Sequence, residues 1–181
     1  MSDLGVVRLL ALDVDGTLTD GTVIYSDAGQ ELKAFHIQDG LGIVLAGFSG
    51  LGIAWITGRD SPVVRRRAAE LKVGLLLQGV RDKGTALSEL MVRHGYAPSE
   101  VAFMGDDLND LPAMGRAGVA IAPANAVSEV KRVAHYVTPR AGGQGAVRDA
   151  IEMILRARGD YDAALGSYLT SLTVSAKNVV H

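Results

Sequence analysis

Short, almost wholly apolar runs alternate with longer stretches of helical period along most of the chain. Val6 to Leu12, Ile53 to Ile56, Leu75 to Leu77, Val101 to Met104, Val119 to Ile121 and Tyr136 to Val137 read as strands. Runs without polar alternation are expected where a parallel sheet is covered on both faces. Between them Gly40 to Ser49, Ser61 to Leu71, Lys83 to His94, Leu108 to Gly115, Ala126 to Arg132 and Gly145 to Arg158 carry helical patterns, with Ser61 as a cap and Pro62 in the first turn behind it. The repetition predicts an α/β fold built on a doubly wound parallel sheet. One segment departs from it: the alternating runs Thr22 to Tyr25 and Glu31 to His36 flank Ser26-Asp27-Ala28-Gly29, a β-hairpin signal. This hairpin leaves the loop after the first strand, so it is expected to project over that strand's end as a flap of about residues 21–38. Past Gly159 the pattern fades. The organisation read from this is one core, residues 1–165, and a C-terminal tail, 166–181, that core packing does not require.

Composition narrows the function classes. A chain of 181 residues suits one substantial core. Its net charge of -2, with Arg65 to Arg67 as the densest basic cluster, gives no electrostatic case for a nucleic-acid partner. Cysteine is absent, which removes disulfides and thiol chemistry and fits a reducing cytoplasm. Neither a signal-peptide pattern nor an apolar run of the ~20 residues needed for a spanning helix is visible, so no membrane partner is expected.

The chemistry gathers at the ends of the strands. The first apolar run stops abruptly at Asp13, and Asp15 follows with Gly16 and Thr17 behind it. In open parallel sheets ligands bind beyond the carboxyl ends of the strands, where the strand order reverses. Two carboxylates alternating to one side there repel unless a cation lies between them or one keeps a proton. The other strand ends supply Thr57-Gly58-Arg59, the helix start at Lys83, and Gly105-Asp106-Asp107-Leu108-Asn109-Asp110. Acids able to hold a hard divalent cation such as Mg2+, with a hydroxyl and an ammonium to hold an oxyanion, describe phosphoryl transfer. Each residue has an ordinary alternative: Asp-x-Asp-Gly as a turn, Thr57-Gly58 as a strand-to-helix bend, Lys83 as a solvated lysine, the Asp106 to Asp110 run as an acidic helix start. Three such accidents in register with Asp13 and Asp15 are less economical than one site. His36, His94 and His135 lack metal-ligand spacing and read as flap or surface residues, and Trp55 and Met104 as core.

These four stretches, in this order, resemble the motifs of the haloacid dehalogenase superfamily of phosphohydrolases. Phe35 to Ile43 (FHIQDGLGI) and Gly142 to Ile151 (GGQGAVRDAI) are similar to the subfamily that hydrolyses 3-deoxy-D-manno-octulosonate 8-phosphate, a sugar-acid phosphate. The resemblance implies a Rossmann-like core with Asp13 as nucleophile, Asp15 as acid and base, and Mg2+ held by Asp13, Asp106 and the Asp15 backbone carbonyl. It further implies that Thr57 and Lys83 meet the phosphoryl group and that Asp107 or Asp110 holds waters or orients Lys83. Gly58 and Arg59 are candidate substrate contacts, Arg59 for the sugar acid's carboxylate unless it caps the next helix through Asp60, and Gln38-Asp39 are weaker candidates. A phosphatase for another sugar phosphate, such as a nonulosonate 9-phosphate, a broad-specificity phosphatase, and a catalytically silent module remain as alternatives. The stretches from Asp13 to Thr57 and from Thr57 to Lys83 are already filled by predicted elements, leaving no room for a cap domain. Val23, Ile24, Tyr25 and Phe35 on the flap are expected to be exposed on a monomer, as at an interface. The resemblance implies a ring-like homotetramer in which Ala141 to Ala146 and the residues after Gly159 reach a neighbouring site.

Overall fold

The structure, a computed structural model, describes residues 3–177. Six parallel strands form the main sheet: β1 (Leu9–Leu12), β4 (Gly52–Ile56), β5 (Leu75–Leu77), β6 (Val101–Met104), β7 (Val119–Ala122) and β8 (Tyr136–Val137), in the order β5-β4-β1-β6-β7-β8. The chain winds outward from β1 through β4 to β5, then crosses to the other side of β1 for β6 to β8. The strand order therefore reverses at β1, and the crevice expected of a doubly wound sheet opens at its carboxyl end. Leu12 lies opposite both Trp55 and Met104, so Asp13, Thr57 and Gly105 emerge side by side.

Alternation along β1 sorts the core. Leu10 and Leu12 pack with Trp55, Met104 and Ile121 beneath helices α1 (Ile37–Phe48), α2 (Pro62–Glu70) and α6 (Ala146–Arg158). Leu9 and Ala11 pack with Ile56, Phe103 and Leu87 on the opposite face, beneath α3 (Lys83–His94), α4 (Leu111–Met114) and α5 (Ser128–Val133). Both faces are dry, which explains why the strands read as unbroken apolar runs. Among the described residues no helix is long and apolar enough to cross a membrane.

Four sequence expectations are corrected. The hairpin strands are shorter than predicted, β2 (Ile24–Tyr25) and β3 (Glu31–Leu32), around the expected turn, in which Gly29 has φ +74°. From Lys33 onward the chain leaves its partner strand to dock on the core: Phe35 stacks on Trp55 with ring centroids 6.2 Å apart, so Phe35 is half-buried where exposure was expected. Helix α1 begins at Ile37, three residues before the expected Gly40, and the flap ends at His36. Gly42 within the helix allows close packing: a Cβ there would lie 3.0 Å from Arg148 Cδ and 3.2 Å from its Cα. The predicted helix from Leu108 to Gly115 is a 3-10 turn (Leu108–Asp110) leading into α4.

The C-terminal segment forms a helix, α7 (Tyr161–Lys177), that runs unbroken through the expected boundary at 165/166. Ala164 is buried against the core and Tyr168 meets Phe48 edge-on, centroids 6.0 Å apart. Residues 178–181 of the expected tail lie outside the described residues.

Candidate active site

Asp13 continues the β1 ladder, its N–H donating to Met104 O at 2.9 Å, and its side chain follows Leu9 and Ala11 to the face covered by α3. There it meets Lys83, the first residue of α3. Asp82 caps that helix by accepting from Thr85 N, which fixes where Lys83 stands. The ammonium donates to Asp13 Oδ1 and to Asp110 Oδ1, both at 2.6 Å. All three side chains are buried. A lysine in the first turn opposes the helix dipole, and these two carboxylates explain its presence. Burial pushes the ammonium pKa down, but Asp13 and Asp110 outweigh this and hold it above its ordinary value. Burial, with the charge of Asp110 adding to it, pushes the Asp13 carboxyl well up while Lys83 pulls it back.

Asp110 supports the site from below. Its Oδ2 accepts the N–H groups of Asp106 (2.9 Å) and Asp107 (3.2 Å) while Oδ1 holds Lys83. Of the two residues expected to hold waters or orient Lys83, Asp110 is the one in contact with it, and it is wholly buried, away from any substrate. Asp107, by contrast, is exposed and caps the following turn through Leu108 N.

Asp106 faces Asp13. One ligand oxygen from each of Asp13, Asp106 and Asp110 lies within 4.8 Å of the others. Because both oxygens of Asp110 are engaged, Asp13 and Asp106 are the carboxylates placed to share a cation. Burial and the charge of Asp110 raise the Asp106 pKa to about 6, the behaviour of an acid crowded by like charge. Thr17 donates to Asp106 Oδ1 at 3.1 Å. Gly16, at φ +99°, lies so close that a Cβ there would sit 2.1 Å from Asp106 Oδ2, so only glycine fits. This donor set, hard oxygens whose charge exceeds that of the one ammonium among them, fits Mg2+.

The Asp15 carboxylate stands apart from that trio. One oxygen pairs with Lys33 from the flap and the other accepts a long 3.4 Å bond from Thr57. Asp15 is not among the carboxylates gathered in the acidic cluster. Thr57 also accepts from Arg59 N at 3.2 Å. Gly58 is exposed at the mouth of the site. The Arg59 guanidinium is held by the flap, donating to Tyr25 Oη at 3.0 Å and Glu31 Oε1 at 2.8 Å. Asp60 pairs with Arg65 instead of Arg59. A recess beside the flap, of about 540 Å³, is lined by Tyr25, Gln30, Glu31, Arg59 and Asp60.

Gln38 and Asp39 brace the glycine-rich loop. Asp39 is buried and accepts from Gly145 N and Arg148 N at the start of α6, while Gln38 accepts from Arg140. Asn125 ties the same loop to the catalytic turn, donating to Gly16 O and accepting from Gly142 N. Sequence reasoning missed Lys33, Glu31 and Asn125. For the first two a signal existed: Glu31, Lys33 and Phe35 alternate to one face, the face whose Phe35 is docked inward. For Asn125 there was none, because its role comes from two loops meeting across the sheet.

The chain is similar to known proteins over most of its length. A haloacid dehalogenase-like hydrolase family model matches residues 68–151. The 3-deoxy-D-manno-octulosonate 8-phosphate phosphatase KdsC of Escherichia coli K12 is 44% identical over 160 residues, covering 88% of this chain and 85% of that protein. The crystal structure of the corresponding phosphatase from Moraxella catarrhalis, in complex with magnesium ion, phosphate ion and a KDO molecule, superposes with a TM-score of 0.88 at 44% identity, over 91% of this chain and 95% of that one. A cobalt-bound phosphatase of the same kind from Haemophilus influenzae gives 0.84 at 40% identity, over 87% and 92%.

Proposed function

Since the chain belongs to the haloacid dehalogenase-like hydrolases, we propose that it is a Mg2+-dependent phosphatase that hydrolyses 3-deoxy-D-manno-octulosonate 8-phosphate. The observation that carries the reading is the buried Asp13–Lys83–Asp110 arrangement facing Asp106 at the point where the strand order reverses. The extent of the likeness to the KdsC phosphatases supports the choice of substrate.

The placement of these residues supports the following roles. Asp13 presents a carboxylate oxygen to phosphorus: an O–P bond forms, the bond to the sugar oxygen breaks, and an aspartyl phosphate results. Asp15 gives its proton to the departing alkoxide, then takes one from the water that attacks phosphorus, which frees Asp13 and inorganic phosphate. Lys83 balances charge on Asp13 and on the incoming phosphoryl oxygens, and Thr57 would donate to one of those oxygens. Asp13, Asp106 and the Asp15 backbone carbonyl would hold Mg2+, which supplies charge cancellation between two anionic reactants. Arg59 offers the sugar acid's carboxylate a bidentate partner in exchange for Glu31.

Assembly belongs to the same reading. The flap turns Glu31 and Lys33 inward and leaves Val23, Ile24, Tyr25 and Leu32 exposed, an apolar patch that suits a neighbouring subunit. A homotetramer working in the cytoplasm is the arrangement we infer. Release of p-nitrophenol from p-nitrophenyl phosphate tests the chemistry. Turnover that requires Mg2+ and is abolished by Asp13→Asn is expected; a variant that keeps most of its activity would remove Asp13 from the reaction.

A further inference from the structure

We propose that Lys33, carried on the flap, is a positioning residue for Asp15 and so sets how well a proton reaches the leaving group; this rests on the phosphatase reading above. Of the catalytic acids, Asp13 and Asp106 would be oriented by a shared cation and Asp110 is fixed by backbone N–H groups. Asp15 has neither. Apart from Lys33 its carboxylate has the bond from Thr57, which at 3.4 Å is too long to fix a rotamer. Lys33 supplies the constraint, its ammonium donating to Asp15 Oδ1, so that Oδ2 is the oxygen left to carry the proton to the leaving group.

Lysines on hairpins ordinarily run into water, yet this side chain is only 2% exposed. Burying an ammonium is unfavourable unless it is paired, and here it meets two carboxylates, Asp15 and, at 3.4 Å, Glu31 Oε1. Glu31 is fixed in turn by Ser61 Oγ at 2.5 Å, a bond that stays in place when Arg59, 2.8 Å away on the other oxygen, turns to the substrate. Two residues after Lys33, Phe35 anchors the flap on Trp55. Flap seating and Asp15 orientation are thereby one event. Acid catalysis demands placement within fractions of an ångström, and on this account the flap provides it.

The experiment compares p-nitrophenyl phosphate with phenyl phosphate, whose poorer leaving group needs the proton more. Wild type, Asp15→Asn, Lys33→Met and the double variant are assayed as full-length protein with Mg2+. Lys33→Met should lose about tenfold or more in kcat on phenyl phosphate relative to p-nitrophenyl phosphate, part of the ~10²–10⁴ a general acid contributes. The double variant should be no worse than Asp15→Asn alone, because Lys33 acts through Asp15. A lysine that only fastens the flap would lower both esters equally and its loss would multiply with that of Asp15→Asn; either result overturns the proposal. If Lys33→Met does not fold, Lys33→Arg is read in the same way, with a smaller loss of the same leaving-group pattern expected and a uniform loss or none overturning it. Wild-type enzyme that cleaves aryl phosphates but not the octulosonate phosphate would sink the substrate assignment and leave the Lys33 comparison standing.

Discussion

Replacing Lys83 by Met removes the cation between two buried carboxylates while keeping most of the side-chain volume. Two routes give the size of the effect. Hydrogen bonds to charged groups contribute about 1.5–3 kcal/mol each, and Lys83 makes two at 2.6 Å. Independently, breaking a buried ion pair by deleting one partner costs about 3–5 kcal/mol. Both point to about 4 kcal/mol, a large part of the ~5–15 kcal/mol by which domains are stable. Urea unfolding near neutral pH in EDTA reads this directly, as a fall in the midpoint at constant slope. Adding Asp110→Asn should restore part of the loss, since one unpaired charge goes with it. Lowering the pH should also narrow the gap to wild type, because Asp13 is already inclined by burial and by Asp110 to keep its proton. Turnover should fall by about 10²–10³, as when an electrostatic stabiliser is removed. A loss below about 1 kcal/mol would refute the reasoning, since two buried carboxyl groups cannot lose the cation they share so cheaply.

Other outcomes follow from the same geometry. The Asp106 carboxyl is raised to about 6 by burial and by Asp110. Its stabilising contribution without metal is therefore full below the ordinary carboxylate range and is lost as pH rises through about 6. Mg2+ favours the ionised form, so its thermal shift should be larger at pH 7 than at pH 5; equal shifts would contradict a Mg2+ site on Asp106. Arg59→Ala should raise KM for the sugar-acid phosphate by about tenfold or more, the value of a charged hydrogen bond, and change p-nitrophenyl phosphate little; parallel losses would place Arg59 in flap support alone. Light scattering should give a tetramer, and truncation after Gly166, which cuts α7 and removes Tyr168 from Phe48, should weaken use of the sugar phosphate more than of p-nitrophenyl phosphate. An active monomer would defeat the shared-site arrangement.

The sheet was legible because both its faces are covered, so that β4, β5, β6 and β7 appear as apolar runs and the strand ends mark the crevice. Lys83 could be singled out as well, since a cation at a helix start needs an anionic partner, although Asp110 as that second partner could not be told from Asp107 by spacing. What escaped is tertiary in origin. The first residues of α1, Ile37 to Asp39, escaped because they continue directly from the alternating run Glu31 to His36, and their place is fixed across the fold, where Asp39 accepts from Gly145 N and Arg148 N. The hairpin was recognised, but not that it seats with its charged side inward: alternation gives two faces and does not say which one meets the core. Phe35 was consequently expected outside, and Lys33 was passed over. Helix α7 lacked a strong apolar stripe; among its described side chains Ala164 and Tyr168 touch the body of the fold, and most of the others face outward.

The most direct measurement is the Mg2+-dependent release of inorganic phosphate from a panel of purified sugar phosphates that includes 3-deoxy-D-manno-octulosonate 8-phosphate, a nonulosonate 9-phosphate and hexose phosphates without a carboxylate. The account predicts that kcat/KM for the octulosonate phosphate exceeds that for every other member, and for the carboxylate-free esters by about a hundredfold, as expected when a charged contact to substrate is lost. Equal rates across the panel, or a preference for a hexose phosphate, would contradict it.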